Sequence, residues 1–497
     1  MLAMLSPRVR GAVLSGLFLM TVAVPAFAAG ISLPTTTLLP VEPGTPETRS
    51  MPFIAWFQDL STVGYVEEEY LVSGKANIYA YTNNAAQSPE VSVQTPDVPY
   101  VTRILVRRPI EPRRFNGTVL VEVMNATAGW DGDPIWYGTF DHLIASGTAW
   151  VGVSTKPVTV NFLRDRWGRT PWPTRNASRY ATLSMPAFGQ VWDMLTQVGA
   201  LLKSSDSGNP LRDFAVERLT MVGYSQSAGY EVTYANSFHA AAQLPNGQPV
   251  FDGYYIATGG ASAKHVTGAT AATENLPRGD ARNIVSVDAP VIKLQTQTEI
   301  VNFPSYPTRQ TEQDFPLLRT YEIAGGSHVD SWRNYYGGQA LVRDLGLPPS
   351  FCPAPQDPYN PIRTGLYEAA ALHNLDAWIH YGVLPPPSRF MELTGAGATT
   401  ALARDADGNV IGGVRPPEIA VPLGTFLESN VGPGFCSLYG GYHAFTASKV
   451  HSLYRNQGAY VSTFRAALNA DVDARYLERA DASTLFDAAV KAALGLF

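Results

Sequence analysis

The sequence predicts an α/β fold, a mostly parallel sheet with helices on both faces. Three observations predict it. Short apolar, β-branched runs recur through the middle of the chain, at residues 117–124, 149–154, 219–223 and 289–296. Stretches with helical spacing alternate with them, at 136–145, 185–202 and 227–242, and strand–helix alternation of this kind builds parallel sheets. One strand–helix junction is punctuated by Gly223-Tyr-Ser225-Gln-Ser227, a run of small residues suited to a very sharp turn.

The elements follow in order. Residues 1–28 read as an export signal. Arg8 and Arg10 form a basic start, 11–25 is apolar, and Ala26-Phe27-Ala28 is a cleavage site of small residues, so the mature chain is expected to start near Ala29. The apolar stretch is short for a bilayer span. Residues 29–60 are rich in Pro and Thr, then turn apolar, and form a lead-in. Residues 77–106 hold short alternating runs, Val91-Ser-Val-Gln and Tyr100-Val-Thr-Arg-Ile-Leu-Val, which read as strands. The run 117–124, bounded by Asn116-Gly117 and Asn125, reads as a buried strand. The amphipathic pattern of 185–202 predicts a helix leading into the 219–223 strand, and 227–242 the helix after it. Strands are expected at 252–257, 289–296 and 319–324. Residues 29–330 therefore form the core. Residues 331–497 form a C-terminal extension that completes the fold, with part of it expected to cap the functional face. It holds a helix at 367–381, Gly/Pro-rich turns at 395–425 and mainly helix from 443.

Composition narrows the function. The chain is 45% hydrophobic and 16% charged, as globular proteins are, and a net charge of −6 gives no basis for a nucleic-acid partner. No later run is apolar over a spanning length, so no stable membrane insertion is expected once the leader is removed. From the leader, the protein is expected in the periplasm or outside the cell. In such an oxidising compartment the two cysteines, Cys352 and Cys436, are expected to pair. Neither sits in a strand–turn–helix context suited to a nucleophile.

The chemistry centres on Ser225. A strand that ends in Gly-x-Ser-x-Ser and continues as a helix has the form of a nucleophile elbow, which lifts one serine oxygen above the sheet at a helix N-terminus. The usual second glycine is Ser227 here, still small. Such a serine needs a base to take its proton and an acid to orient that base. Glu299 follows the 289–296 strand, and His328 sits on the turn Ala324-Gly-Gly-Ser-His328 after the next one. Three residues in the order Ser, acid, His, each at a strand exit, are more specific than the serine alone. The bland alternatives are a buried turn serine, a helix-starting surface glutamate and a helix-capping loop histidine. Among rival acids, Asp252 begins a strand rather than ending one, and Asp330 follows the histidine too closely. The oxyanion donors are expected to be the backbone N–H of Gln226 and one from Asn125, Ala126 or Thr127. Trp130, Trp136 and Tyr137 are expected to line the entrance, with packing as the alternative. The other histidines lack ligand spacing, so neither a catalytic metal nor a cofactor is expected. Asp405-Ala-Asp-Gly-Asn409 reads as a polar turn rather than a calcium loop.

These residues resemble a family of mostly bacterial α/β-hydrolase domain-containing proteins. The matching stretches are Val121-Glu-Val-Met-Asn125, Gly223-Tyr-Ser-Gln-Ser-Ala-Gly229-Tyr230, 290–299, 322–330 and Leu375-Asp-Ala-Trp-Ile-His-Tyr-Gly-Val-Leu-Pro-Pro-Pro387. Further matches lie at 407–416 and 421–426, so the resemblance spans most of the mature chain. It implies an α/β-hydrolase fold and a serine-hydrolase triad at Ser225, Glu299 and His328. The acid in this family is more often an aspartate in a Glu-Thr-Asp-like run, whereas here the run is Gln297-Thr298-Glu299; a shifted backbone can absorb the extra methylene. The resemblance names no substrate. The expectation is an exported carboxylic ester hydrolase acting on a small-molecule or polymeric ester through an acyl-enzyme. The same residues would serve an amidase, a peptidase or a transacylase, and a non-catalytic binding protein is the remaining alternative.

Overall fold

The computed structural model describes residues 30–44, 50–167, 169, 178–268 and 274–497; the expected leader lies outside them. Nine strands build one sheet: β1 (Thr35–Leu39), β2 (Tyr65–Tyr81), β3 (Val91–Pro109), β4 (Thr118–Val123), β5 (Ala149–Val153), β6 (Arg218–Tyr224), β7 (Gly253–Ala257), β8 (Val291–Thr296) and β9 (Leu318–Ile323). Their spatial order is β1-β2-β3-β5-β4-β6-β7-β8-β9. The pairings from β1 to β5 are antiparallel, and those from β5 to β9 are parallel. Every residue of β4 through β9 is buried, which is why apolar residues dominate these strands, although buried Glu122, Lys293, Arg319 and Glu322 interrupt the runs. The chain leaves β4 in one direction to form β5, then returns past it to form β6. Strand order reverses between β4 and β6, and the crevice for a ligand opens there, beyond their carboxyl ends.

The N-terminal hairpin is longer than its sequence suggests. β2 runs for 17 residues and β3 for 19, with an irregular register around Ala76–Tyr79. The consecutive Glu67, Glu68 and Glu69 hide β2, because they read as a polar surface. Instead Arg103 pairs with Glu69 at 2.6 Å and Asp131 at 3.0 Å, all three side chains fully buried. Arg107 pairs with Glu67 at 2.7 Å and also with Asp133. Removing one partner of such a buried pair strands the other charge. The two arginines thus tie the hairpin to the loop after β4.

Helices α1 (Pro134–Ser146), α2 (Pro157–Asp165), α3 (Val191–Leu202), α4 (Ala228–Ser237) and α5 (Gln297–Val301) connect the strands. α3 starts at Val191, later than the spacing predicts, after a short 3-10 turn. All twelve of its residues are buried, so it is enclosed rather than amphipathic; Asp193 is satisfied by Asn77 N–H at 2.7 Å and Tyr79 O–H at 2.6 Å. α4 ends at Ser237, short of the predicted 242. Beyond residue 330 come α6 (Ser331–Leu345), α7 (Thr364–Tyr381), α8 (Pro417–Ala420), α9 (Ala447–Leu453), α10 (Gln457–Asp473) and α11 (Arg479–Ala493), with the small pairs β10 (Leu393–Thr394)/β11 (Ala401–Leu402) and β12 (Gly424–Leu427)/β13 (Gly441–Ala444). α6 and α7 pack on α1, and α7 lies against β7 and β8, so this segment supplies part of the helical layer. Cys352 and Cys436 form a disulfide across 84 residues.

Candidate active site

Ser225 sits at the exit of β6 with φ of +59°, a left-handed conformation that a non-glycine residue adopts only under constraint from its surroundings. The constraint is visible at Gly223. A Cβ there would lie 2.9 Å from the Ser227 carbonyl carbon and 3.0 Å from its oxygen, so only glycine lets the helix start this close to the strand. Ser227 is fully buried. Its hydroxyl accepts a hydrogen bond from Lys156 Nζ at 2.9 Å and donates to the Met124 carbonyl at 3.2 Å. Lys156 Nζ also donates to that carbonyl, at 2.5 Å. The side chain of Lys156 thus clamps the end of β4 to the elbow. Burial pushes its ammonium down to about 7, against the upward pull of nearby carboxylates, Glu274 first.

Glu299 is fully buried in the first turn of α5 rather than starting a surface helix. Its Oε2 accepts from Thr296 N–H at 2.7 Å and Thr296 Oγ1 at 2.6 Å. Its Oε1 lies 2.6 Å from His328 Nδ1. The His328 backbone is fixed as well: its N–H donates to Thr298 Oγ1 at 3.1 Å, and its carbonyl accepts from the Tyr224 hydroxyl. Gly325 makes this turn possible, with φ of +75° and Ile419 Cδ1 2.3 Å from where a Cβ would be. With Nδ1 held by the carboxylate, Nε2 is the ring nitrogen left for Ser225. Both residues line the same cleft. The rival acids are engaged elsewhere. Asp252 pairs with Lys203 at 2.7 Å, and Asp330 caps α6 by accepting from Arg333 N–H at 2.8 Å.

The loop after β4 faces the elbow. Gln226 N–H lies in the first turn of the elbow helix, where backbone donors have no intrahelical acceptor. Of the three other expected donors, Asn125 N–H is committed to Gly132 O at 2.8 Å and Thr127 N–H to Asn125 Oδ1 at 2.8 Å. Asn125 also reaches the elbow strand through Nδ2, which donates to Tyr224 O at 2.9 Å; it braces the loop rather than offering an amide. Ala126 N–H is the one turned toward the elbow, and it donates to the Gln226 side-chain oxygen at 3.1 Å.

The cleft has two lobes that meet at Ser225 and His328. One is walled by Trp56, Trp130, Tyr137, Tyr336, Leu341, Phe351 and Phe435. The other mixes apolar walls, Val158, Phe188 and Phe303 among them, with the polar groups of Gln226, Lys264, Glu274, Asn275, Arg278 and Asn302. Trp136 lines neither. It is fully buried beneath α1, with its ring 5.7 Å from Trp150 and the Arg107 guanidinium 4.7 Å away. The reason is helical geometry: Pro134 and Tyr137, three apart, share the face toward the cleft, and Trp136 turns onto the sheet. The disulfide joins the segments that carry Phe351 and Phe435 into the apolar lobe, so part of the C-terminal segment does wall the cleft.

Sequence reasoning missed several supports of this site. Lys156 gave no signal beyond its place after a strand. Arg103 and Arg107 share the parity of one strand face, which was the available hint. Arg333 is fully buried, paired with Glu368 at 2.7 Å, and its guanidinium lies 4.4 Å from the Tyr224 ring.

An α/β hydrolase domain model matches residues 39–487, most of the chain. Among solved structures, the chain is similar to a putative dienelactone hydrolase from Klebsiella pneumoniae subsp. pneumoniae MGH 78578, with 14% identity, 51% of this chain and 85% of that one covered, and a TM-score of 0.25. It is similar to a CE15 glucuronoyl esterase from Teredinibacter turnerae T7901, with 10% identity, 63% and 68% covered, and a TM-score of 0.28. It is also similar to acetyl xylan esterase 1 from Thermoanaerobacterium sp. JW/SL YS485, with 11% identity, 59% and 81% covered, and a TM-score of 0.26. At these identities and scores none of them assigns an activity to this chain. No curated protein matches it. The match over residues 39–487, on a sheet whose strand order reverses beside a strained serine, makes this chain a member of the α/β hydrolase domain family.

Proposed function

We propose that the protein is an exported carboxylic ester hydrolase with Ser225 as nucleophile, His328 as general base and Glu299 as the orienting acid. The observation that carries the reading is the buried Glu299–His328 pair at 2.6 Å in the cleft that also holds Ser225 in its strained turn. In this mechanism Ser225 Oγ attacks the ester carbonyl carbon and passes its proton to His328 Nε2. Glu299 holds the tautomer and stabilises the imidazolium. The oxyanion is received by the N–H groups of Gln226 and Ala126, the second freed when the Gln226 side chain gives way; each such donor is worth about 100- to 1000-fold in rate. Collapse releases the alcohol, protonated from His328. Water then attacks the acyl-enzyme, with His328 again as base. The substrate is a small or polymeric ester divided between the two lobes. Export is supported by the leader pattern and by a disulfide of the kind that persists in oxidising compartments.

The test is the initial rate on short and medium p-nitrophenyl esters for the mature protein beside Ser225→Ala. Loss of at least about 10³-fold is expected from removing the nucleophile. Activity that survives in Ser225→Ala overturns the assignment.

A further inference from the structure

A second cavity, of about 630 Å³, lies between α6 and the C-terminal helices α8, α10 and α11. No step of the proposed chemistry uses it. Its walls are aromatic and aliphatic: Trp332 and Tyr335 from α6, Tyr442 from β13, Tyr460 and Phe464 from α10, Leu485 and Ala489 from α11. Three lining side chains keep a buried polar atom with no hydrogen-bond partner among the described residues, Trp332 Nε1, Arg363 Nε and Glu418 Oε2, and Glu418 is the acid among them. It projects into the cavity from α8. Burial pushes the Glu418 carboxyl up to about 7, against only a hydrogen bond from its own backbone, so its charged form is costly here.

The charges nearby do not relieve it. Arg363 also lines the cavity, but its guanidinium lies 3.3 Å from the centre of the Trp332 ring and pairs with Asp141. Asp471, on α10, is a second acid nearby: burial first, and then the charge of Glu418, push its carboxyl up to about 7, and it accepts from Tyr367 O–H at 3.3 Å. The cavity therefore combines an acid whose charged form is poorly compensated with several aromatic rings, and ring faces attract cations. An apolar neutral ligand would fill the volume and leave Glu418 unpartnered. An organic cation would satisfy both features.

We propose that this cavity is a binding site for an organic ammonium ion with an apolar body, its nitrogen on Glu418 and its body against Tyr460 and Phe464. Tyr336 belongs to the walls of both this cavity and the apolar lobe of the catalytic cleft, so the ligand sits one ring away from that cleft without entering it.

Calorimetric titration of the mature protein with 2-phenylethylammonium and with neutral 2-phenylethanol tests this. The ammonium should bind about tenfold or more tightly than the alcohol, the size expected of a hydrogen bond to a charged group. Glu418→Gln should abolish that preference while keeping the alcohol's affinity. Ala489→Phe, which fills the cavity, should abolish binding of both probes, and Ser225→Ala should bind both as wild type does. Equal affinities for the two probes, a preference retained in Glu418→Gln, or undiminished binding in Ala489→Phe would each overturn the proposal. The last variant keeps the test decisive if Glu418→Gln does not fold.

Discussion

Replacing Glu299 with glutamine removes a charge without changing shape, and the surroundings dictate how the new amide must sit. Oε2 accepts two bonds from Thr296, one from its N–H and one from its hydroxyl. An amide oxygen can take that place and an NH₂ cannot. The glutamine therefore turns its NH₂ toward His328 Nδ1, now 2.6 Å from Oε1. Nδ1 must then accept, which puts the ring proton on Nε2, the atom that receives the serine proton in the proposed mechanism. The wrong tautomer in a serine triad costs about 10⁴-fold in kcat, or about 5 kcal/mol at about 1.36 kcal/mol per decade. The flipped amide restores the tautomer but buries Thr296 N–H without an acceptor, costing about 1–3 kcal/mol. It also offers the imidazolium no charge. Even the flipped form therefore loses at least about tenfold. The assay is kcat on a p-nitrophenyl ester, with thermal unfolding as a control for folding. Glu299→Asp keeps the charge but cannot reach both partners, so it should fall between Glu299→Gln and wild type. A loss below tenfold in a folded Glu299→Gln would refute the reasoning and send the acid elsewhere.

Three other perturbations follow from the same geometry. Cys352→Ser opens an 84-residue loop, and the chain-entropy estimate for a loop of that size is about 4–5 kcal/mol. Because Phe351 and Phe435 wall the cleft, KM should rise more than kcat falls; two titratable thiols in the denatured, unreduced wild type would refute the bond. Gly223→Ala puts a methyl 2.9 Å from the Ser227 backbone and should destabilise by about 1–3 kcal/mol, with turnover lost in the folded fraction; a stable, active variant would show that the elbow relaxes freely. Lys156 has a folded-state pKa lowered from 10.5 to about 7. Between those values the unfolded chain holds a proton that the folded one does not, so this group makes stability rise with pH across that window. In Lys156→Met that rise should shrink, as measured by urea midpoints from pH 7 to 9.5; an unchanged slope would place the titration elsewhere.

The parts of the molecule legible in the sequence are those where one physical demand dominates. β4 to β9 are buried on both faces, and the apolar residues this demands mark them in spite of buried Lys293, Arg319 and Glu322. Ser225, Glu299 and His328 stand at strand exits, where chain direction and small residues announce a turn. What stayed hidden depends on pairing across long sequence distances. Glu67 and Glu69 look like surface until Arg107 and Arg103 are placed opposite them. Trp136 carries no mark of which side of α1 it occupies, because that depends on where the helix lies over the sheet.

Ser227 joins the two cases. As a departure from the usual motif it weakens the elbow when read locally, since glycine there would leave more room for the crossing. Its hydroxyl, however, links Lys156, 71 residues away, to the Met124 carbonyl at the end of β4. The loop that begins at Met124 carries the Ala126 N–H, so the serine and lysine together fasten the start of the loop that holds this proposed donor. A glycine at 227 would remove the hydroxyl bridge and one acceptor from a buried ammonium. The motif position that looks degenerate in the sequence is thus the one through which the fold fastens the β4 loop to the elbow, and the lysine is what makes a side chain there an advantage.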